Sequence, residues 1–286
     1  MRKRVLRVEV YEIVNNEEVV LFNLDGLDVV GNVETYLDGN YAKGLVSIAN
    51  LKKEHIDRLT LYTGGSDRWN ANKFMRITAG YGNEAEIIID GTVYKALPTM
   101  PPDVRIVCQI QQGYNDIAVK KTVEILERTK DIDVIKAVFS QYGYKNFQDY
   151  STTEIYFDKF ILCGGVREFQ NKIRSFLANK KTVTYLKDSI IIDDFNAPKE
   201  DMPILEINKN KNMLFMPEPN DFGCNCTIWL DPSIRANQPV HIMSTQIAGI
   251  NGTYYIYKIT HDFESRGERF YTHLKAISIA RDNDKG

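Results

Sequence analysis

Apolar and polar residues alternate with a period of two along most of the first hundred positions. Val5–Val14 carries Val8 and Val10 between charged neighbours, the pattern of a half-buried strand. Val19–Leu24 and Leu27–Val33 are two further short strands, separated by the turn pair Asp25-Gly26. Gly44–Asn50, Phe74–Tyr81, Glu86–Asp90, Thr92–Leu97 and Arg105–Ile110 continue the series. Gly82-Asn83 breaks it once, and Asp90-Gly91 leads into Thr92. Only Lys53–Thr60 has a helical look, with Ile56 and Leu59 three apart. Many short strands with frequent turn signals predict a barrel or sandwich.

The period changes in the middle of the chain. Val119, Val123 and Leu126 fall at helical spacing within Ala118–Arg128. Ile132, Ile135, Val138 and Phe139 share one face of a second helix that Thr129 or Asp131 can cap and that ends near Gly143. Glu154–Leu162 reads as a strand. Glu168–Ala178 reads as a helix with Phe169, Ile173, Phe176 and Leu177 on one side. Thr182–Leu186 and Ser189–Asp193 form a hairpin over Lys187-Asp188. The polar, two-proline stretch Asp194–Pro203 marks a boundary. Beyond it Ile204–Asn208, Thr227–Leu230, Pro239–Ser244, Thr253–Phe263 and Phe270–Ala280 are strands again, the last two joined by the loop Glu264–Glu268. The tail after Ala280 is polar and frays. The layout is β, then α/β, then β, with domains over 1–112, 113–202 and 203–286.

Composition narrows the function more than the fold. The formal charge of -2 sets up no field for a polyanion, and no basic stripe accompanies it, so nucleic-acid specificity is not expected. The basic residues Lys172, Arg174, Lys180 and Lys181 read as one exposed helical face. The start of the chain lacks the apolar core of a signal peptide, and no window is apolar enough for a transmembrane helix. Four cysteines are too few for a disulfide scaffold.

Candidate chemistry is sparse. Cys224-Asn225-Cys226 is the one metal-like feature, but zinc wants a second ligand cluster, and His241, His261 and His273 are scattered singly. Cys224 and Cys226 are therefore weak metal candidates, with ordinary cysteines the commoner meaning. Cys163 precedes Gly164-Gly165 without any nucleophile signature around it and reads as a strand-end cysteine. Phosphate-loop and dinucleotide fingerprints are missing. Asp193-Asp194 and Glu17-Glu18 read as solvated turns, because neighbours in a strand point to opposite faces and make poor acid/base pairs. The tyrosine group Tyr254, Tyr255 and Tyr257 falls on both faces of one strand, which fits packing. No cofactor is expected, and the chain is read as a binding or structural protein, not an enzyme.

The order of short motifs resembles the baseplate hub proteins of contractile-tailed phages and related contractile injection systems. In the last eighty residues a Leu-x-Pro-x-Ile-Arg-x-x-x-x-Val segment is met by Leu230, Pro232, Ile234, Arg235 and Val240. A Gly-x-Tyr-x-Ile-x-x-Ile-x-His strand is met by Gly252, Tyr254, Ile256, Ile259 and His261. A closing Phe-x-Thr-x-Leu is met by Phe270, Thr272 and Leu274. Near the N-terminus Asn50, Leu51, Ala79, Gly80, Tyr81 and Gly91 match the family's first domain, with Ile89 departing from its usual aromatic two residues before Gly91. Phe169–Asp193 resembles the family's α/β insert. The resemblance implies a mainly β chain in which two tube-like β-barrel domains flank a small α/β domain. It also implies a homotrimer whose ring, with approximate six-fold symmetry, adapts the hexameric tail tube to the trimeric central spike. The partners it implies are further copies of the chain, the tube protein, the spike protein and the tape-measure protein. The location is the virion baseplate, after assembly in the host cytoplasm. His261 would then be a packed histidine and not a base. The polar segments Leu61–Asn72 and Asp231–Gln238 would serve as interfaces. A carbohydrate-binding host-adhesion module and a tail-associated cell-wall hydrolase are the rival readings.

Overall fold

A computed structural model describes residues 3–15, 17–24, 26–37, 41–60, 72–101, 104–113, 119–178, 180–185, 189–194 and 204–278. The N-terminal unit contains β1 (Arg4–Val14), β2 (Glu17–Asn23), β3 (Asp28–Tyr36), β4 (Lys43–Ala49), the short helix α1 (Lys53–Leu59), β5 (Lys73–Tyr81), β6 (Glu86–Pro98) and β7 (Arg105–Gln111). Its strands run antiparallel in the order β3-β4-β7-β6-β5-β1-β2. Inward side chains such as Val10, Val46, Met75, Ile77, Val93 and Ile106 build one apolar core. β6 is a single strand where the sequence pattern predicted two around Asp90-Gly91. Gly91 is no turn: a Cβ there would lie 2.8 Å from the Gln111 backbone, so its missing side chain lets β7 close up.

The middle unit contains β8 (Lys121–Ile125), β9 (Thr129–Lys130), α2 (Asp131–Phe139), β10 (Asn146–Asp149), β11 (Tyr156–Phe157), β12 (Phe160–Gly164), α3 (Val166–Leu177), β13 (Lys181–Tyr185) and β14 (Ser189–Asp194). Ala118–Arg128 is not helical over its described residues. The β-branched residues Thr122, Val123 and Ile125 pair with β12, and the helically spaced Val119 and Leu126 are left exposed. The expected strand Glu154–Leu162 is interrupted at Asp158-Lys159 into β11 and β12. The second helix forms as its apolar face dictates, with Ile132, Ile135, Val138 and Phe139 buried, and Gly143 at φ +87° stops the turn that follows it. Its N-cap is Lys130, without a side-chain cap. Asp131 instead turns inward to meet Lys181 Nζ at 2.6 Å, both side chains fully buried. Lys181 is thus a core strand residue and not part of an exposed helical face. Phe176, expected on the apolar side of α3, is half exposed and stacks on Phe157 at 3.8 Å.

The last unit contains β15 (Leu205–Asn208), β16 (Glu218–Asn220), β17 (Gly223–Trp229), β18 (Pro239–Met243), β19 (Gly252–Glu264) and β20 (Phe270–Ser278). β19 and β20 form the predicted hairpin, with a bulge between Ile256 and Lys258. The decisive pairing is β19 with β3, seven residues long from Lys258↔Tyr36 to Glu264↔Val30. It fuses both β units into one sheet, 13-stranded among the described residues, that runs from β16 at one end to β2 at the other. The architecture is mainly β with an α/β insert, as the pattern predicts. The described strands leave the sheet open and do not close it into a barrel: β2, β15 and β16 are edges. The N-terminal core accepts Leu230, Phe263 and Phe270 from the last unit, whose own core surrounds Ile207, Ile228, Ile242 and Ile256. None of the described helices is long and apolar enough to cross a membrane.

The Asp193-Asp194 pair is buried, contrary to the solvated turn expected. Asp194 accepts from the Thr152 backbone N–H at 2.5 Å and hydroxyl at 2.7 Å, which together with Thr153 hold its carboxyl below the usual range despite burial.

Two substitutions test this packing. Lys181→Met strands the buried Asp131 carboxylate and should cost about 3–5 kcal/mol in urea unfolding. Gly31→Val would drive a Cβ to within 2.6 Å of the Leu45 carbonyl and 2.9 Å of the Phe263 ring. It should cost about 1–3 kcal/mol, and a neutral result would show that the β3 surface under Phe263 is looser than described.

Candidate assembly surfaces

The motif residues fall into three groups. Asn50, at φ +61°, turns the chain out of β4 so that Leu51 can pack on the N-terminal core ahead of α1. Gly80, at φ +149°, lies so close to the following loop that a Cβ would meet Ala85 Cα at 2.6 Å. The path it permits sets Tyr81 edge-on to Phe270, ring centroids 5.4 Å apart. Gly252 opens β19, and the Tyr254 hydroxyl donates to the Ile250 carbonyl at 2.9 Å.

A second group fixes the turn after β17. Arg235 donates to the Pro232 carbonyl at 2.6 Å and reaches Glu86 of the N-terminal unit at 3.4 Å. In Asp231–Gln238, expected as a polar interface segment, Ile234, Ala236 and Asn237 are buried. The loop folds inward because alternate positions are small or apolar, a signal that its polar count hides. Leu61–Asn72 lies outside the described residues except for Asn72, whose side-chain amide donates to the Ile13 carbonyl at 3.1 Å.

The third group is a small buried network. His261 Nδ1 lies 2.9 Å from Thr272 Oγ1, and that oxygen accepts the Asp231 backbone N–H at 3.0 Å. Burial pushes the imidazole down to about 4, so it stays neutral at ordinary pH. With its single described partner a threonine, His261 is a packing residue.

Cys224 and Cys226 share the inward face of β17, with sulfurs 4.0 Å apart. Their shared hydrogen bond favours ionisation at Cys224 and opposes it at Cys226, whose thiol burial raises further. The histidines do not join them. His273 contacts Thr227 and Asp262, and His241 contacts Thr253. Among the described residues no group of three or more His, Cys, Asp or Glu is placed to hold a metal ion. Cys163 is exposed in β12, next to Gly164 and the start of α3.

What the sequence reading missed is the joint between the two β units. Arg4 donates to the Gly267 and Glu268 carbonyls at 2.8 and 3.2 Å and lies 5.3 Å from the Phe270 ring centroid. Ser265 and Arg266 of the β19–β20 loop bind the backbone of Leu27 and Gly26 in return. Lys258 pairs with Glu34 at 2.8 Å across β19 and β3. A cleft of about 1380 Å³ opens beside this joint, lined by Arg4, Tyr81, Trp229, Leu230, Pro232 and Glu268 among others. Trp229 continues outward into an exposed aromatic group with Tyr271 and Phe215. At the far end of the sheet, edge strand β2 exposes Val19 and Val20. Its Glu18 is held by Arg76, which also binds Asp90 at 2.7 Å and lies over Tyr11. The surfaces the chain offers are therefore strand edges, aromatic side chains and a cleft, the means of holding other proteins.

Comparison with known proteins agrees with this class. The same fold is found in the 43 kDa tail protein of prophage MuSo2 from Shewanella oneidensis, at 9% identity and a TM-score of 0.61, covering 94% of this chain and 96% of that one. A tail protein from Neisseria meningitidis MC58 aligns at 8% identity and a TM-score of 0.63, covering 96% of each chain. The E. coli c3393 protein, a type VI secretion component described as similar to bacteriophage T4 tail proteins gp27 and gp5, aligns at 7% identity and 0.58, covering 88% and 73%. No curated protein sequence matches significantly. The family model described as baseplate hub gp41 matches residues 8–276, and the chain belongs to that family. It is a phage tail baseplate protein of structural type.

The buried histidine makes stability depend on pH in a stated direction. Its folded pKa lies below the unfolded value, so its contribution is full above about 6.5 and is lost as pH falls toward about 4. The loss approaches about 1.4 kcal/mol per pH unit once the unfolded imidazole is charged. Asp194 and Glu34, both held low, add the same trend only as pH falls through the ordinary carboxylate range, below about 4.5. Between pH 6.5 and 5 the difference from the unaltered chain reads His261: His261→Gln should flatten the thermal-midpoint profile there. An unchanged slope would mean the imidazole is hydrated in the native state.

Proposed function

We propose that this chain is the ring-forming subunit of the baseplate hub: three copies assemble head to tail, and the ring adapts the hexameric tail tube to the trimeric central spike. The observation that carries this reading is the continuous sheet across the β3–β19 ladder. It gives one chain two β units side by side, so three chains supply six units, matching a six-fold tube above and a three-fold spike below. The open edges β2, β15 and β16 support heterologous contacts between copies, and the apolar residues Val19, Val20 and Phe222 near them support burial there. In this reading the three domains keep the limits 1–112, 113–202 and 203–286. The cleft, with Asp231, Pro232 and Ser233 of the segment Asp231–Gln238 on its wall, faces partners: the tube protein, the spike protein and the tape-measure protein. The work is done by complementary surfaces, without a catalytic step.

Light scattering over a concentration series, with and without co-expressed tube and spike proteins, tests the proposal. A trimeric mass is expected, and Val20→Lys should shift assembly to higher concentration by about tenfold or more, since it buries a charge in an apolar contact. A chain that stays monomeric at every concentration and with both partners present would overturn the reading. Sugar-dependent thermal shifts in such a monomer would then favour host adhesion.

A further inference from the structure

The α/β unit is gripped by one residue from each β unit. Tyr41, in the β3–β4 connection, is buried in the α/β core and not in that of its own unit. Its hydroxyl accepts from the Tyr144 hydroxyl at 3.2 Å, and its ring lies 6.0 Å from Tyr185. Gly113, at φ +64°, makes room for that ring, since a Cβ there would touch it at 2.7 Å. Asn237, in the β17–β18 connection, is 1% exposed and adopts φ +63°. Its side-chain amide donates to Asp193 Oδ2 at 3.3 Å and approaches Thr182 Oγ1 at 3.4 Å, both on the small sheet of the α/β unit.

Both residues spring from the same place. The Leu37 N–H, just past β3, donates to the Tyr257 carbonyl of β19 at 2.9 Å. The Asn237 N–H donates to the neighbouring Ile256 carbonyl at 2.7 Å, and the Ile256 N–H returns a bond to Gln238 at 3.2 Å. Tyr41 and Asn237 thus follow segments bonded to adjacent points along one edge of β19, one from each β unit, and both enter the α/β unit. A single ladder fixes which strands are neighbours but leaves their mutual twist free over about 10–35°. A third body bonded to both units narrows that freedom beyond what the shared core and the Arg4 and Lys258 contacts already do. The contact at Asn237 is polar, with Thr182 and Asp193 buried against it, so it holds a direction as well as a distance.

We propose that the α/β unit is a brace across the β3–β19 seam, with Tyr41 and Asn237 as its two clamp points, setting the angle between the two β units. This rests on the ring reading for its purpose, because three copies close a ring only within a narrow range of that angle.

The test is hydrogen exchange by mass spectrometry on the full chain, with light scattering in parallel, for Tyr41→Leu, Asn237→Gly and the double variant. Leucine keeps apolar bulk in the core, and glycine keeps the left-handed backbone while deleting the amide. Circular dichroism identifies the variants that keep their fold. The double variant should exchange about tenfold faster or more at Leu37, Asn237 and Ile256 and in β13 and β14, while β5–β6 stays protected. Its assembly should need a correspondingly higher concentration. Unchanged exchange at Leu37 and Ile256 in a folded double variant would overturn the brace, and if only the Asn237→Gly chain folds, unchanged exchange there overturns it too. Exchange is read within one chain, so faster exchange in a protein that never oligomerises would uphold the brace and reject the ring.

Discussion

Two strands that lie more than two hundred residues apart in sequence pair along seven positions, and most of the molecule is arranged around that ladder. β3 supplies Gly31 at the point where the Phe263 ring lies close against it, and Phe263 in turn enters the N-terminal core. The ladder alone would be a modest interaction, worth its hydrogen bonds and little more. It becomes a joint because charged and aromatic groups reinforce it at both ends: Lys258 with Glu34 and Tyr36, and Arg4 with Phe270 and the β19–β20 loop. The two β units therefore share one core boundary and one sheet, and differ from linked domains that meet through a loose polar surface.

Polar groups in the interior serve the same end by fixing orientation. Asp131 with Lys181 ties α2 to β13, Asp194 anchors the Thr152–Thr153 turn, and Arg76 gathers Glu18 and Asp90 under Tyr11. Such contacts add less net stability than apolar contacts of the same volume. They do select one arrangement among the many that a β-rich core of Val and Ile would tolerate. In a protein that works by fitting against neighbours, a defined arrangement matters more than an added kilocalorie.

The strands were legible because their period survives burial on one face. β1, β4, β5, β7, β19 and β20 appear where alternation and turn residues place them. The failures share a cause, which is that long-range pairing outweighs local spacing. Val119, Val123 and Leu126 mimic a helix, but β12 recruits Thr122, Val123 and Ile125 into a ladder about forty residues distant. Asp90-Gly91 mimics a turn, but the glycine is there for the neighbouring strand. Asp193 and Lys181 look solvated by type, and only their partners across the fold make burial tolerable. The motifs located the turn at Pro232–Arg235 and the hairpin. They gave no hint that Tyr41 and Asn237 leave their own units, since each is one residue in a polar loop.

The long reach of the β3–β19 ladder also sets an order of events at the ribosome. Every strand of the N-terminal unit emerges before residue 112, yet one edge of β3 stays unpaired until β19 follows more than two hundred residues later. At ordinary synthesis rates of about 5–20 residues per second that interval is roughly 10–50 s, long compared with strand pairing itself. During it the nascent chain carries a bare strand edge and an empty slot above Gly31 that only Phe263 of β19 fills. Chains stalled or cut before β19 would keep that edge exposed, so the emergence of β19 acts as the checkpoint that separates a closed subunit from a sticky one.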